Sequence, residues 1–389
     1  MSPADTPLPR AASVVIVGGG IQGLCIAWYL TELGVRDVLI LDAGYWEGGA
    51  SGRNGTLIRP GFGGPEWTRL FELSVREWRG LSARIGHNVM YTMRGYALLA
   101  ERQKTVGVIE SAAEVHRREG VESRMLTRRE REQLLPALDQ DQVKSALFFP
   151  KGGMAPHHAA MKGLQVACAG RGVDIRYRTP VTGFERTGER ISHVLVGDTR
   201  IATQSTVIAA GAQCPDLAAL AGVPLAGNAM RLEAMALEPL RPLIGPAVAA
   251  LDSLAYFHQT ARGEIVGGTE VPGEKVKRSL QADMPVLANT ARVYMRLFPQ
   301  LADVRILRHW AGMIHATPDF GPMLGPHPDL RDLWISAGWS YGFAGAPGAG
   351  LLLSQAIANG MTDDRMKPFA VDRFDKEKPV HESLIVLAS

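Results

Sequence analysis

Cysteine is scarce, with three in 389 residues at positions 25, 168 and 214. They lie far apart, form no Cys-x-x-Cys and have no neighbouring ligand set, which argues against a disulfide framework and against a metal or iron–sulfur site within the chain. No uninterrupted apolar run approaches the ~20 residues that span a bilayer. The opening stretch MSPADTPLPRAAS has no basic segment followed by an apolar one, so it reads as a short loose tail rather than a secretory leader. Neither sign of charge dominates: 42 basic and 39 acidic residues give a net +3. They are interspersed, which leaves no footprint for nucleic acid or anionic lipid. Repeats and low-complexity segments are also missing. What remains is a soluble, cytoplasmic chain with reduced thiols. Its 46% hydrophobic content is enough to fill two domains, or one large domain with an intimate second lobe.

What is present begins with SVVIVGGGIQGLCIAWYLTELGVRDVLILDAG. It reads as a buried strand over Val14–Val17, a glycine turn, an amphipathic helix to about Leu33 and a second strand over Val38–Leu41, which is a βαβ unit. Gly18, Gly20 and Gly23 have G-x-G-x-x-G spacing, and Asp42 closes the second strand. Gly18 permits the tight turn, Gly20 lets the backbone approach a pyrophosphate, and Gly23 allows close helix–strand packing. The helix N-terminus faces the phosphates, and Asp42 accepts from a ribose hydroxyl, favouring a free 2′-hydroxyl over a 2′-phosphate. The glycines alone are a weak signal. Strand, glycines, helix, strand and acid in this order point to a bound dinucleotide.

Just beyond, RNGTLIRPGF sets Arg53 and Arg59 among glycines, either as ligands for something the nucleotide reacts with or as solvated loop charges. Residues 66–90 and 100–136 carry helical patterns, and in TRREREQLLPAL Thr127 and Glu130 resemble a capping box on a solvated, charged helix. A β-meander follows, ending in a buried strand over Thr206–Ala209 and a small-residue turn at Ala210–Ala212. Between 226 and 316, RLEAMALEP, LAYFHQ and EIVGGT read as strands, with a helix near 285–298 and another strand toward Trp310. This block predicts a substrate lobe with an antiparallel sheet. Last, DLWISAGWSYGFAGAPGAG gives a strand, a loop of small residues and a helix starting near Gly350. That is a second glycine-rich loop at a helix N-terminus, or only a turn into a core helix.

A nicotinamide-binding fold would continue from the first unit, strand after helix, to six parallel strands. Here strand-plus-small-loop elements return only at 207–212 and 333–350. The fold class expected is therefore α/β (α+β), with a Rossmann-like FAD-binding domain built from the discontinuous segments 11–88, 153–222 and 318–370. An antiparallel-sheet substrate domain takes 89–150 and 226–316, and 1–10 and 371–389 are tails. A helix N-terminus at the last loop favours a reduced, anionic ring system, which suits a flavin.

The stretches VVIVGGGIQGLCIAWYL, GGASGRNGTLIR, KGGMAPHHAAMKG, VIAAGAQCPDLAALAG, YFHQTARGEIVGGTE, WAGMIHATPDFGPMLG and WISAGWSYGFAGAPGAG resemble the D-amino acid oxidase superfamily along nearly the whole chain. The likeness is greatest to the β subunits of heterotetrameric sarcosine oxidase and of related opine, hydroxyproline and proline dehydrogenases. The resemblance implies non-covalent FAD and oxidation of a C–N bond in an amino acid or secondary amine by hydride transfer. It also implies electrons passed to a second flavin or to partner α and small iron–sulfur subunits. Carried over, Gly18, Gly20, Gly23 and Asp42 hold the ADP part, and Ser51, Arg53 and Asn54 meet the pyrophosphate and flavin. Val181 supports the adenine side, and Ala210 and Gly211 line the nucleotide. Gly312, Met313, Gly342, Phe343, Ala344 and Gly345 approach the isoalloxazine ring.

In the same family the position of Arg59 grips the substrate carboxylate, and a guanidinium suits that role through two parallel charge-assisted hydrogen bonds. Tyr256 matches an active-site tyrosine, although a core tyrosine with a satisfied hydroxyl fits its sequence context too. His157 matches the histidine that carries FMN between subunits, although by residue chemistry it also reads as a surface or capping residue, and His158 departs from the acid expected beside it. Gly312 replaces a cysteine that tethers FAD in monomeric relatives. Ala344 replaces a lysine whose charge assists reaction with oxygen, which implies a dehydrogenase more than a peroxide-forming oxidase. An autonomous amino acid oxidase and a non-catalytic flavin-binding scaffold subunit are the alternatives.

Overall fold

The computed structural model describes residues 7–271 and 279–385. Its helices are α1 (Ile21–Glu32), α2 (Pro65–Ile85), α3 (Gln103–Arg118), α4 (Arg128–Leu134), α5 (His157–Gly170), α6 (Cys214–Leu220), α7 (Met284–Leu297) and α8 (Gly342–Asn359). Two large sheets carry them. In the first, the spatial order is Met323–Pro326, Leu333–Ala337, Thr199–Ile208, Ala11–Val17, Val38–Leu41, Asp174–Arg176. Every neighbouring pair in that row is parallel except the first. The sheet thus draws its strands from three separated stretches, as expected from the return of strand-plus-loop elements late in the chain.

The second sheet runs Ile306–Ala316, Asn228–Leu237, Ile265–Thr269, Ala255–Gln259, Ala247–Ala250, Tyr96–Ala100, Ser145–Phe149, Arg124–Met125. It is antiparallel throughout except where Ala247–Ala250 lies parallel to Tyr96–Ala100. That one pair departs from the expected sheet, and it joins the two stretches of the substrate lobe, so no hairpin constrains its direction. The capping box is formed: the Thr127 side chain accepts from the Glu130 amide, and Glu130 accepts from the Thr127 amide.

Helix α1 is apolar on nearly all sides, and Ile21 to Leu30 are all buried, because it is sandwiched between the first sheet and helices α5 and α8. Each large aliphatic side chain buried there stabilises by about 1.5–3 kcal/mol. Close approach needs glycine. A Cβ on Gly23 would sit 2.0 Å from the Gly18 carbonyl oxygen, and Gly18 itself has φ +117.

Helix α8 begins at Gly342, eight residues before the start expected near Gly350. Its small residues are the first turns of the helix and not a loop, since they are where α1, α2 and Trp339 pack: a Cβ on Gly345 would lie 2.6 Å from the Trp339 ring, and one on Gly348 2.9 Å from the Ser74 backbone. The Ser74 hydroxyl enters the helical ladder there. It donates to the Ala344 carbonyl at 2.6 Å and accepts from the Gly348 amide at 3.1 Å, which accommodates Pro347 within the helix.

The stretch from 371 onward, expected as a tail, packs back on the molecule as far as residue 385. Arg373 is buried in a two-bond pair with Asp319, at 2.9 and 2.8 Å. The other Asp319 bonds include the Val380 amide at 2.8 Å. The Glu382 carboxylate accepts from the Gly63 and Gly64 amides at 2.6 and 3.0 Å, filling the N-terminus of α2, whose own cap position has no side chain to offer. The segment reads as a tail in sequence because the partners of its buried charges lie far away in the chain. Of the expected tail at 1–10, residues 1–6 lie outside the described residues.

Candidate functional site

A cavity of about 800 Å³ opens between the two sheets. At one end lies the glycine turn. Gly18 and Gly20 line it, as does Asp42, whose two oxygens accept from the Gly19 and Gly44 amides at 2.7 Å each. The carboxylate is thereby aimed along the cavity wall, with lone pairs left for a hydroxyl donor. Ser51 accepts from the Ile21 amide at 2.9 Å, and Asn54 bridges the Ser51 carbonyl and the Thr56 amide. Val181, Ala210 and Gly211 complete this wall. Gly23 stands just behind it, in the packing role read from its spacing.

The other end is closed by the substrate sheet and α8. Gly312, Met313, Gly342, Phe343 and Ala344 line it, whereas Gly345 is set back against Trp339. Arg53 lines the cavity between the two ends. It reaches Gly48, Ala311 and Tyr45 through its guanidinium, and its carbonyl accepts from the Trp310 indole at 3.0 Å. Its charge therefore belongs to the wall joining the two lobes and is no loose loop cation. Tyr256 also lines the cavity, its ring so close to Gly55 that a Cβ there would stand at 2.4 Å. Burial pushes its phenol well above the ordinary value, so it enters any chemistry as a neutral hydroxyl.

Besides Gly23 and Gly345, two expected site residues lie off the cavity lining, Arg59 and His157. Arg59 is 2% exposed. Its guanidinium packs over the rings of Phe62, Tyr341 and Tyr96 at 4.1, 5.3 and 5.6 Å and donates to the Leu384 carbonyl at 2.5 Å. Among the described residues its Nε and Nη1 have no partner. His157 opens α5 beside His158, whose Nδ1 is 3.0 Å from Glu47 and whose ring meets Trp46 edge-on at 4.8 Å.

Several residues that line the cavity were not singled out from sequence. Gln22 donates to the Gly342 carbonyl at 2.7 Å and accepts from Ser336 at 3.0 Å; the signal was a polar residue inside an otherwise apolar helix. His315 donates through Nε2 to the Ala226 carbonyl (2.9 Å) and accepts the Gly338 amide at Nδ1 (3.0 Å). That network fixes a neutral tautomer, and burial lowers its pKa in the same sense. Tyr96 and Tyr341 face the cavity with no local sequence signal.

The cavity suits a flavin dinucleotide. Both α1 and α8 present their N-termini to it, favouring phosphate at one end and an electron-rich ring at the other. One oxygen of Glu47, which lines the cavity, is buried without a partner among the described residues, as expected of a group that completes its hydrogen bonds on a ligand.

The comparisons agree. The chain is 30% identical over 369 residues to a sarcosine oxidase subunit beta of Rhizobium meliloti, covering 93% of this chain and 88% of the relative. It is 29% identical to the subunit of the same description in Rhodobacter capsulatus, covering 97% and 92%. The structure of L-proline dehydrogenase from P. horikoshii superposes with a TM-score of 0.90 at 28% identity, over 96% of this chain and all of that one. Residues 13–356 match the family described as DAO, FAD dependent oxidoreductase. With the glycine turn and the split nucleotide sheet in place, the chain belongs to that family of FAD-dependent oxidoreductases.

Proposed function

We propose that the chain, loaded with non-covalent FAD, oxidises the C–N bond of an amino acid or secondary amine of the sarcosine, proline, hydroxyproline or opine kind, and hands the electrons to a partner subunit. The observation that carries this reading is the meeting, in one cavity, of the dinucleotide cradle at Asp42 with a chamber of phenols, Tyr96, Tyr256 and Tyr341, under the N-terminus of α8. FAD accepts a hydride from the carbon next to nitrogen when bound, leaving an imine that water hydrolyses to a carbonyl compound and an amine.

The protein's part is positioning. Gln22 ties α1 to α8, so that the two helix N-termini move as one wall. Tyr256 closes the substrate side without offering a charge. Arg59 is the group for a substrate carboxylate: it is the buried cation nearest the tyrosine chamber, behind Tyr96 and Tyr341, with two nitrogens unpartnered. Holding the reacting carbon within ~3–3.5 Å of its acceptor lowers the barrier by several kcal/mol without a strong base.

The β-subunit relatives support a hetero-oligomer, and we propose α and small iron–sulfur subunits as its partners. His157, with His158, Glu47, Trp46 and Lys162 around the start of α5, is the surface on which FMN would sit between subunits. Ala344, buried at the flavin end, brings no charge to stabilise superoxide, which favours a partner over oxygen as acceptor. No helix among the described residues is long and apolar enough to cross a membrane.

Anaerobic mixing of the FAD-loaded protein with sarcosine, proline, hydroxyproline and opines tests the reading. Bleaching of the flavin by one of these compounds, with the concentration for half-reduction raised at least tenfold in Arg59→Ala, is the expected result. Flavin that stays oxidised with every secondary and primary amino acid overturns it in favour of a scaffold subunit.

A further inference from the structure

The Arg59 guanidinium is in an unusual position. Among the described residues no carboxylate is bonded to this buried charge, and its only hydrogen bond there runs to a neutral carbonyl, that of Leu384, at 2.5 Å. The nearby acid, Glu382, is spent elsewhere: it accepts from the amides of Gly63, Gly64 and Leu384. Leaving two nitrogens of one guanidinium buried without an acceptor among the described residues is costly, which suits the site to an anionic ligand.

What stands in the anion's place is the chain's own segment Ser383–Ile385. The Leu384 side chain is fully buried in a cluster with Tyr96, Met154 and Phe149, against which Leu57 and Tyr256 also pack. Leu57, Tyr96 and Tyr256 are at the same time walls of the flavin cavity. Leu384 is therefore wedged between that cavity's substrate end and Arg59, and its carbonyl oxygen occupies the guanidinium as one oxygen of a carboxylate would.

We infer that residues 383–385 are a displaceable cover on the substrate arginine. A monocarboxylate entering the tyrosine chamber takes over the Nη2 bond from the Leu384 carbonyl and adds the unpartnered nitrogens, and the segment swings out. The exchange is favourable at the guanidinium, because a charged two-point acceptor replaces a neutral one-point acceptor. It is opposed by the burial of Leu384, so the cover sets a threshold on carboxylate binding. The hinge lies at Glu382, which stays fixed on the N-terminus of α2, and upstream of it Val380 stays fixed on Asp319. Displacement breaks the bond from the Leu384 amide to Glu382 and leaves the Val380 amide bond whole. The inference rests on the reading of Arg59 as the carboxylate group.

The test uses the full chain with FAD bound and acetate as the probe. Calorimetry measures acetate binding to the wild type, Arg59→Met and Leu384→Gly, and amide hydrogen exchange is followed at Leu384 and Val380. The cover predicts acetate binding that Arg59→Met abolishes, exchange at Leu384 accelerated at least tenfold by acetate with Val380 unchanged, and acetate bound several-fold more tightly by Leu384→Gly. Acetate binding that depends on Arg59 while Leu384 exchange stays the same or slows overturns the cover alone, as does weaker binding by Leu384→Gly, which would make Leu384 a plain wall of the pocket. Acetate binding indifferent to Arg59→Met overturns both the cover and the carboxylate role beneath it.

Discussion

The side-chain amide of Gln22 donates to the backbone carbonyl of Gly342 at 2.7 Å across 320 positions of sequence. It thereby ties the first turn of the helix at the nucleotide end to the first turn of the helix at the flavin end. Its carbonyl oxygen accepts from Ser336 on the strand that leads into α8.

Gln22→Leu keeps the volume and removes both bonds, leaving Gly342 and Ser336 each short of a partner. The expected loss is about 1–3 kcal/mol of stability. It is checked by chemical denaturation of the FAD-free protein, and by a larger fall in the unfolding temperature with FAD bound than without it.

Asp42 has two amides to serve, Gly19 and Gly44, one on each oxygen. In Asp42→Asn the amide nitrogen faces one of those N–H groups, and the proposed acceptor for the ribose hydroxyl loses its charge. FAD affinity, read from recovery of flavin fluorescence on dilution, should fall about ten- to hundredfold, in line with a loss of roughly 1.5–3 kcal/mol.

Removing the Ser74 hydroxyl takes a buried acceptor away from the Gly348 amide, next to Pro347 in α8. The Ala344 carbonyl keeps the Trp78 indole at 3.0 Å. Ser74→Ala should therefore cost about 1–3 kcal/mol through a single buried donor, while Ser74→Thr, which keeps the hydroxyl, recovers part of it. Denaturant midpoints of the two variants decide this.

Histidines at the lobe interface make stability depend on acidity. His258, bonded to Thr56 at 2.9 Å, and His116, packed between the Phe62 carbonyl and Ser123, are both pushed down to about 4 by burial. Each is neutral when folded, while the unfolded chain takes up a proton near the ordinary value of 6.5. Their contribution is present in full above about 6.5 and is lost as pH falls toward 4. Up to roughly 3 kcal/mol is at stake for each. The unfolding temperature should drop over that window, and by less in His258→Gln, which cannot charge.

The nucleotide end was legible because its requirements are local. Gly18, Gly20, Gly23 and Asp42 fall within one βαβ unit, and each answers to a steric or hydrogen-bonding demand that shows in spacing alone. The capping box at Thr127 and Glu130 was readable for the same reason. The start of α8 was misplaced since glycine, alanine and proline carry loop propensity; only the bulk of Trp339 and the backbone of Ser74 explain why small residues are needed in a helix there. Arg59 stands out in sequence among glycines, yet its contact with Leu384 spans 325 positions and leaves no local trace. The returning segment was misread as a tail because the partners of Arg373 and Glu382 lie at Asp319 and at Gly63 and Gly64.

The flavin cradle is assembled from both ends of the chain: its walls run from the turn at Gly18 to Ala344 at the head of α8. During synthesis the ribosome has released the βαβ unit long before the strand at Leu333–Ala337 and α8 emerge, so the nascent polypeptide carries half a cofactor site. Contacts of such sequence separation form late and slowly. Flavin insertion is thus a step that follows translation, and an apoprotein population awaiting its coenzyme is the natural product of expression when riboflavin supply is short.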